Sequence, residues 1–271
     1  FFYDYIYTTD ADPGGYSGGA YFDRFNGTSA ATPMVAGTSA LFFQMWADNV
    51  WGTEPGTGTV FEERPHFTTM KALMINTAEQ YNWPGGGPNG DLTRMRQGWG
   101  VPNAQNAYDR AALTHVVDET SVLEELETDS YTAIVPASQD ALKVTLVYAD
   151  PPGNPGSVPH RINDVTLKVT APDGVTEYWG NHGLDAGLWS TPGGSADTIN
   201  TVENVFVQNP AAGAWTIEVE ATEVNQDVHL ETPGADQDYA LVIYGASSIT
   251  DALFSDGFES GNVSAWGNSV P

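Results

Sequence analysis

Two stretches of different periodicity predict a two-part fold for this 271-residue chain. The reading is an α/β segment over residues 1–115, an all-β jelly roll or sandwich over 116–246, and an acidic tail over 247–271. Three observations carry it. Ala30 to Ala47 is an uncharged, largely apolar run, ~27 Å long if helical. Beyond about residue 115 the apolar residues alternate with polar ones, the period of a half-buried strand. Turn signals recur between those alternating stretches, at Pro151-Pro152-Gly153, Pro172-Asp173-Gly174 and Pro210-Ala211-Ala212-Gly213.

Taken in order, the Tyr-, Gly- and Asp-rich first 24 residues read as strand edge and surface loop. Ser29 to Trp46 is apolar nearly all round, as in a helix enclosed by other elements. Thr32, Pro33, Gly37, Thr38, Ser39 and Gln44 dilute the run, which argues for a buried helix and against a membrane span. A second helix follows a loop, with Thr68 or Thr69 as its cap and Met70, Ala72, Leu73, Met74 and Ala78 as its apolar face. Pro84 to Gly90 must be loop, Gly98-Trp99-Gly100 a tight turn, and Pro102 to Ala112 a third helix. The expected strands include Leu142–Tyr148, Val165–Val169 and Trp215–Glu220, and Tyr239–Tyr244 is a more fully apolar run. The acidic residues from Asp118 to Asp129 read as solvated strand and linker, and Trp179, Trp189 and Trp215 as core.

Composition excludes several functions. With 35 Asp+Glu against 9 Lys+Arg the formal charge is −26, so phosphate contacts to nucleic acid are not expected. The acidity suits a solvated surface in a salty or extracellular setting, with some carboxylates available to calcium. There is no cysteine, so no disulfide framework. Phe1 to Tyr5 lacks the basic start and cleavage site of a signal peptide.

The chemistry-bearing stretch is Gly27-Thr28-Ser29-Ala30-Ala31-Thr32-Pro33. A serine at the start of a helix projects its hydroxyl from a rigid element, and its N–H is free because the first helical N–H groups have no internal partner. Free donors at the positive end of a helix stabilise an oxyanion. Gly-Thr-Ser alone is more often a helix cap than a nucleophile. Gly37-Thr38-Ser39-Ala40, ten residues on, lies inside the helical run with no following proline, and Ser39 reads as a packing residue.

The longer string resembles the active-site serine segment of the subtilases, subtilisin-like serine peptidases, whose pattern is Gly-Thr-Ser-(small)-Ala-x-Pro. Lys71 to Ala78 resembles that family's penultimate catalytic helix, and Gly98 to Ala104 followed by Ala107 its closing turn and helix. The resemblance covers roughly residues 20–112 and implies a secreted serine endopeptidase acting on protein or peptide substrates through an acyl-enzyme on Ser29. It also implies an aspartate and a histidine ahead of the serine, and an upstream oxyanion asparagine. Only 28 residues precede Ser29, and His66, His115, His160, His182 and His229 all follow it. Asp4, Asp10, Asp12 and Asp23 lie too close to Ser29 to match the family aspartate, and Asn26 does not match the asparagine. The expectation is therefore a fragment, inactive alone, whose partner is the missing N-terminal part of the catalytic domain.

Val147 to Pro151, Ile162 to Leu167 and Val202 to Phe206 resemble the β-domain that follows the catalytic domain in large bacterial alkaline subtilases. That resemblance implies a jelly roll with structural calcium. Asp150, Asn163, Asp164 and Asn204 are the expected ligands, oxygen side chains at strand ends suiting a hard cation, although each alone reads as a turn residue. The alternative function is a catalytically silent calcium-binding module that stabilises, or positions substrate for, a separate catalytic fragment. The tail around Asp256 to Gly261 and Trp266 resembles C-terminal segments of secreted bacterial proteins. Residues 1–112 are expected to be unstable alone, and about 116–246 to fold independently.

Overall fold

The computed structural model describes residues 6–11, 15, 17–53, 59–81 and 91–251. The expected loop at Pro84–Gly90 and the tail beyond Asp251 lie outside them. A hairpin of β1 (Ile6–Thr9) and β2 (Tyr21–Phe25) leads through Gly27 into helix α1 (Thr28–Ala47). Helix α2 is Phe67–Thr77, a single turn α3 is Arg94–Gln97, and α4 is Ala104–Asp109 followed by a 3-10 turn at Ala111–Leu113. The third expected helix is thus shorter than Pro102–Ala112, starting where the Asn103 side chain accepts from the Asn106 N–H. No helix among the described residues is long and apolar enough to cross a membrane.

Nine strands follow: β3 (Thr114–Glu124), β4 (Thr128–Val135), β5 (Ala141–Val147), β6 (Asp164–Thr170), β7 (Glu177–Trp179), β8 (Val202–Gln208), β9 (Gly213–Glu223), β10 (Asp236–Tyr244) and β11 (Ser248–Asp251). They form two antiparallel sheets, ordered β3-β10-β5-β8 and β11-β4-β9-β6-β7. Leu142, Val144, Leu146, Leu241 and Ile243 of the first sheet meet Val165, Leu167, Val169, Ile217 and Val219 of the second in one core. Burying each such side chain contributes about 1.5–3 kcal/mol. The sandwich runs from Thr114 to Asp251, because β11 adds an edge strand to β4.

Strand alternation explains why Tyr239–Tyr244 is apolar throughout. Its odd residues face the sandwich core, while Val242 faces outward with Val147 into a second cluster containing Met70, Ala72 and Leu73 of α2 and Phe42 and Trp46 of α1. The outer face of the first sheet is a buried surface, with α2 lying on it. A sandwich cut at residue 116 would expose that face, so the β-domain and α2 share one packing unit.

The cap of α2 comes from another element. Thr68 and Thr69 are helical and buried rather than capping, and their hydroxyls donate to Glu119 and Asp118 of β3. Asp118 also accepts from the His66 N–H at 3.0 Å. A bulge at Glu119, φ 52°, turns both carboxylates toward the helix. These two members of the acidic run are structural contacts and not a solvated face.

Candidate active site around Ser29

Gly27 enters α1 with φ 75° and ψ −166°, a conformation that favours glycine. Its carbonyl accepts from the Ala30 and Ala31 N–H groups, both at 3.1 Å. The N–H groups of Thr28 and Ser29 take no acceptor among the described residues, and neither does the Ser29 hydroxyl. Ser29 is exposed, while Ala30 beside it is buried. Thr32 turns its hydroxyl back to the Thr28 carbonyl at 2.8 Å, and Pro33, having no N–H, leaves the Ser29 carbonyl without its usual i+4 donor. A free hydroxyl beside two free backbone donors at a helix N-terminus can attack a carbonyl and hold the resulting oxyanion, given a base.

Residues 32–37 of α1 are exposed, Met34 to 40%, and so is Leu41 further along, at 54%. Phe42, Trp46 and Ala47 are buried. Only that face near the C-terminal end therefore meets the expectation of an enclosed helix. Ser39 donates to the Val35 carbonyl at 2.9 Å and lies 3.8 Å from Met74 Sδ, a packing position as read from the sequence.

No base reaches Ser29 among the described residues. His66 Nδ1 lies 3.3 Å from Asp118 Oδ1 and 3.2 Å from Glu119 Oε2. His115 Nε2 contacts the Ala246 carbonyl, His229 Nδ1 contacts Thr232 Oγ1, and the His182 ring lies over Gly194. Asp10 accepts from the N–H groups of Ala11 and Ser17, Asp23 pairs with Arg24, and Asn26 donates to the Arg24 carbonyl. Asp4 and Asp12 lie outside the described residues.

Residues 8–100 match the family model of the subtilases, peptidase S8. That span holds the end of β1, β2, α1 with Ser29, α2 and the turn at Gly98 to Gly100. The subtilase match supports a serine peptidase at the level of the family. Its closing turn is built as the sequence indicates: Gly100, φ 114°, approaches so closely that a Cβ would lie 2.6 Å from the Glu79 carbonyl oxygen, and Glu79 bridges Val101. A comparison with curated proteins finds no match. Among solved structures the chain is similar to the Bacillus licheniformis lipase BlEst2 in propeptide form, at 13% identity and a TM-score of 0.25. That alignment covers 49% of this chain and 22% of the lipase, and a likeness so slight carries no argument.

The four expected calcium ligands do not form one cage. Asp150 accepts from the N–H groups of Ile162 and Asn163, at 2.7–3.1 Å. Asn163 Oδ1 accepts from the Asn225 and Gln226 N–H groups, and its amide donates to Gln226 and Gln237. Asn204 faces the other side of its sheet, accepting from Thr145. Asp164 lies 3.7 Å from Arg161; its Oδ1 is buried without a partner, and burial raises its carboxyl above the usual range. No cluster of three or more His, Asp or Glu able to hold a metal ion occurs among the described residues.

Sequence reasoning missed a polar group on the outer face of the first sheet. Lys143 on β5 faces a cavity with Arg94 and Arg110, and Trp189, expected in the core, lines it. The available signal was scarcity, since these are three of only nine basic residues.

Proposed function

We propose that the chain is part of a secreted serine endopeptidase of the subtilase type, with Ser29 as nucleophile. The observation that carries this is the Ser29 hydroxyl beside the N–H groups of Thr28 and Ser29, all three without a partner among the described residues, within the span matched by the family model. Ser29 would attack the peptide carbonyl, and its N–H would help hold the tetrahedral oxyanion. In this reading the histidine that takes the serine proton, and the aspartate that orients it, come from a segment outside this sequence, because no histidine contacts Ser29 among the described residues. The same segment would cover the exposed Met34, Val35 and Leu41. Alone, the chain is inactive.

The sandwich in this reading is a jelly roll. Its support is the strand order, in which the first, eighth, third and sixth sandwich strands face the second, seventh, fourth and fifth. The acidic composition fits an extracellular setting of high ionic strength. A silent calcium-binding module has less support, since its expected ligands are dispersed.

Complementation tests the proposal. The chain alone should leave casein intact, and combining it with the segment that supplies the histidine should restore cleavage. Ser29→Ala should abolish the restored activity without weakening assembly. Casein cleavage by the chain alone, or unchanged activity of the assembled Ser29→Ala variant, would overturn it.

A further inference from the structure

We propose that the cavity between α2, α3 and the outer face of the first sheet binds a small organic carboxylate. It measures about 360 Å³, within the range of small-molecule sites. Its lining includes the cations of Lys143, Arg94 and Arg110, the carboxylates of Glu79 and Asp140, and apolar groups such as Leu188, Trp189 and Phe206.

The cations are poorly matched by the protein. Lys143 Nζ donates to the Asn76 carbonyl at 3.3 Å, and Arg94 reaches the Gly98, Trp99 and Leu188 carbonyls only at 3.3–3.4 Å. The Arg94 Nε is buried with no acceptor. Neither side chain has a carboxylate within 4 Å among the described residues, where Arg110 has Glu79 at 3.5 Å. The other carboxylate at the rim, Asp140, accepts from Tyr244 Oη and from Gln139. Burial pushes the Arg94 guanidinium down to about 10. Burial, then the Arg110 and Arg94 charges, brings the Lys143 ammonium down to about 8.

A buried cation without a counterion is costly, and an anion entering the cavity would relieve that cost. In a chain of net charge −26, three cations converging on one cavity cannot be assigned to a general basic surface. Their rigid setting favours recognition: Arg94 stacks 4.7 Å from the Trp99 ring centroid and 5.1 Å from that of Phe206. The apolar walls select an organic body over a bare inorganic ion, whose hydration they could not replace.

The test is calorimetric titration of the full chain with 3-phenylpropionate, its neutral amide and inorganic phosphate at pH 7. The carboxylate should bind at least tenfold more tightly than the amide and than phosphate, and Lys143→Met should remove that preference while remaining folded by circular dichroism. Equal binding of acid and amide, no binding of the acid, tighter binding of phosphate, or an unchanged preference in Lys143→Met would each overturn the proposal. The acid–amide comparison stands without the variant.

Discussion

Asn76 on α2 donates its side-chain amide to Thr145 Oγ1 on β5 at 3.1 Å, and Thr145 in turn donates to Asn204 Oδ1 at 2.8 Å. The same amide reaches the Lys143 and Val242 carbonyls at 3.1 and 3.2 Å. One buried side chain thus fastens the helical segment to two neighbouring strands of the sandwich.

Asn76→Ala should remove these bonds between α2 and the two strands. The expected loss is about 1–3 kcal/mol of unfolding free energy, read by urea denaturation. A change below measurement error would show that the contact contributes nothing.

Asp118→Ala removes the cap that β3 lends to α2, with its bonds to the His66 N–H and the Thr69 hydroxyl. A destabilisation of about 1–2 kcal/mol is expected. Hydrogen exchange should quicken first at the N-terminal turn of α2, and unaltered exchange there would contradict the capping role.

Glu203 is fully buried on β8. Leu167 N–H donates to its Oε2 at 2.9 Å, and its Oε1 has no partner. Burial, reinforced by the charges of Asp197 and Asp164, holds its carboxyl well above the usual range. The folded state therefore binds a proton that the unfolded state releases above about pH 4.3, so this group's contribution to stability falls as pH rises from there. Glu203→Gln should raise Tm at pH 7, measured with a chelator present, and the gain should vanish below about pH 4. A lower Tm at pH 7 would contradict it.

Lys143 titrates the other way. Its folded value of about 8 lies below the unfolded value of about 10.4, so its ammonium opposes folding below pH 8, and stability recovers as pH rises through that window. Lys143→Met should stabilise the chain by roughly 2 kcal/mol at pH 7, after allowing for the lost bond to the Asn76 carbonyl. The gain should shrink as pH rises from about 8 to about 10.4 and be lost above it. Destabilisation at pH 7 would count against an unpaired cation.

Local signals were legible where one residue dictates geometry. The Gly27-Thr28-Ser29 entry to α1 and the Gly98–Gly100 turn follow from what glycine permits, and the period-2 strands from alternation. Relations between distant segments were not. Thr68 and Thr69 resemble caps, yet Asp118 does the capping because a bulge 49 residues after Thr69 turns its carboxylate there. The apolar Tyr239–Tyr244 run was visible, but the helix covering its outer face was not. In a 116–246 fragment Val147 and Val242 would lose the α1 and α2 residues that cover them. The four oxygen residues at strand ends were found individually, while their dispersal depends on which face of a sheet each side chain takes.

The most direct measurement is fluorophosphonate labelling of Ser29, followed by peptide mapping. In the enzyme assembled with its histidine-bearing segment, the label should fall on Ser29 and be lost in Ser29→Ala, while the chain alone should remain unlabelled. Equal labelling of the Ser29→Ala protein, or rapid labelling of the chain alone, would contradict the account.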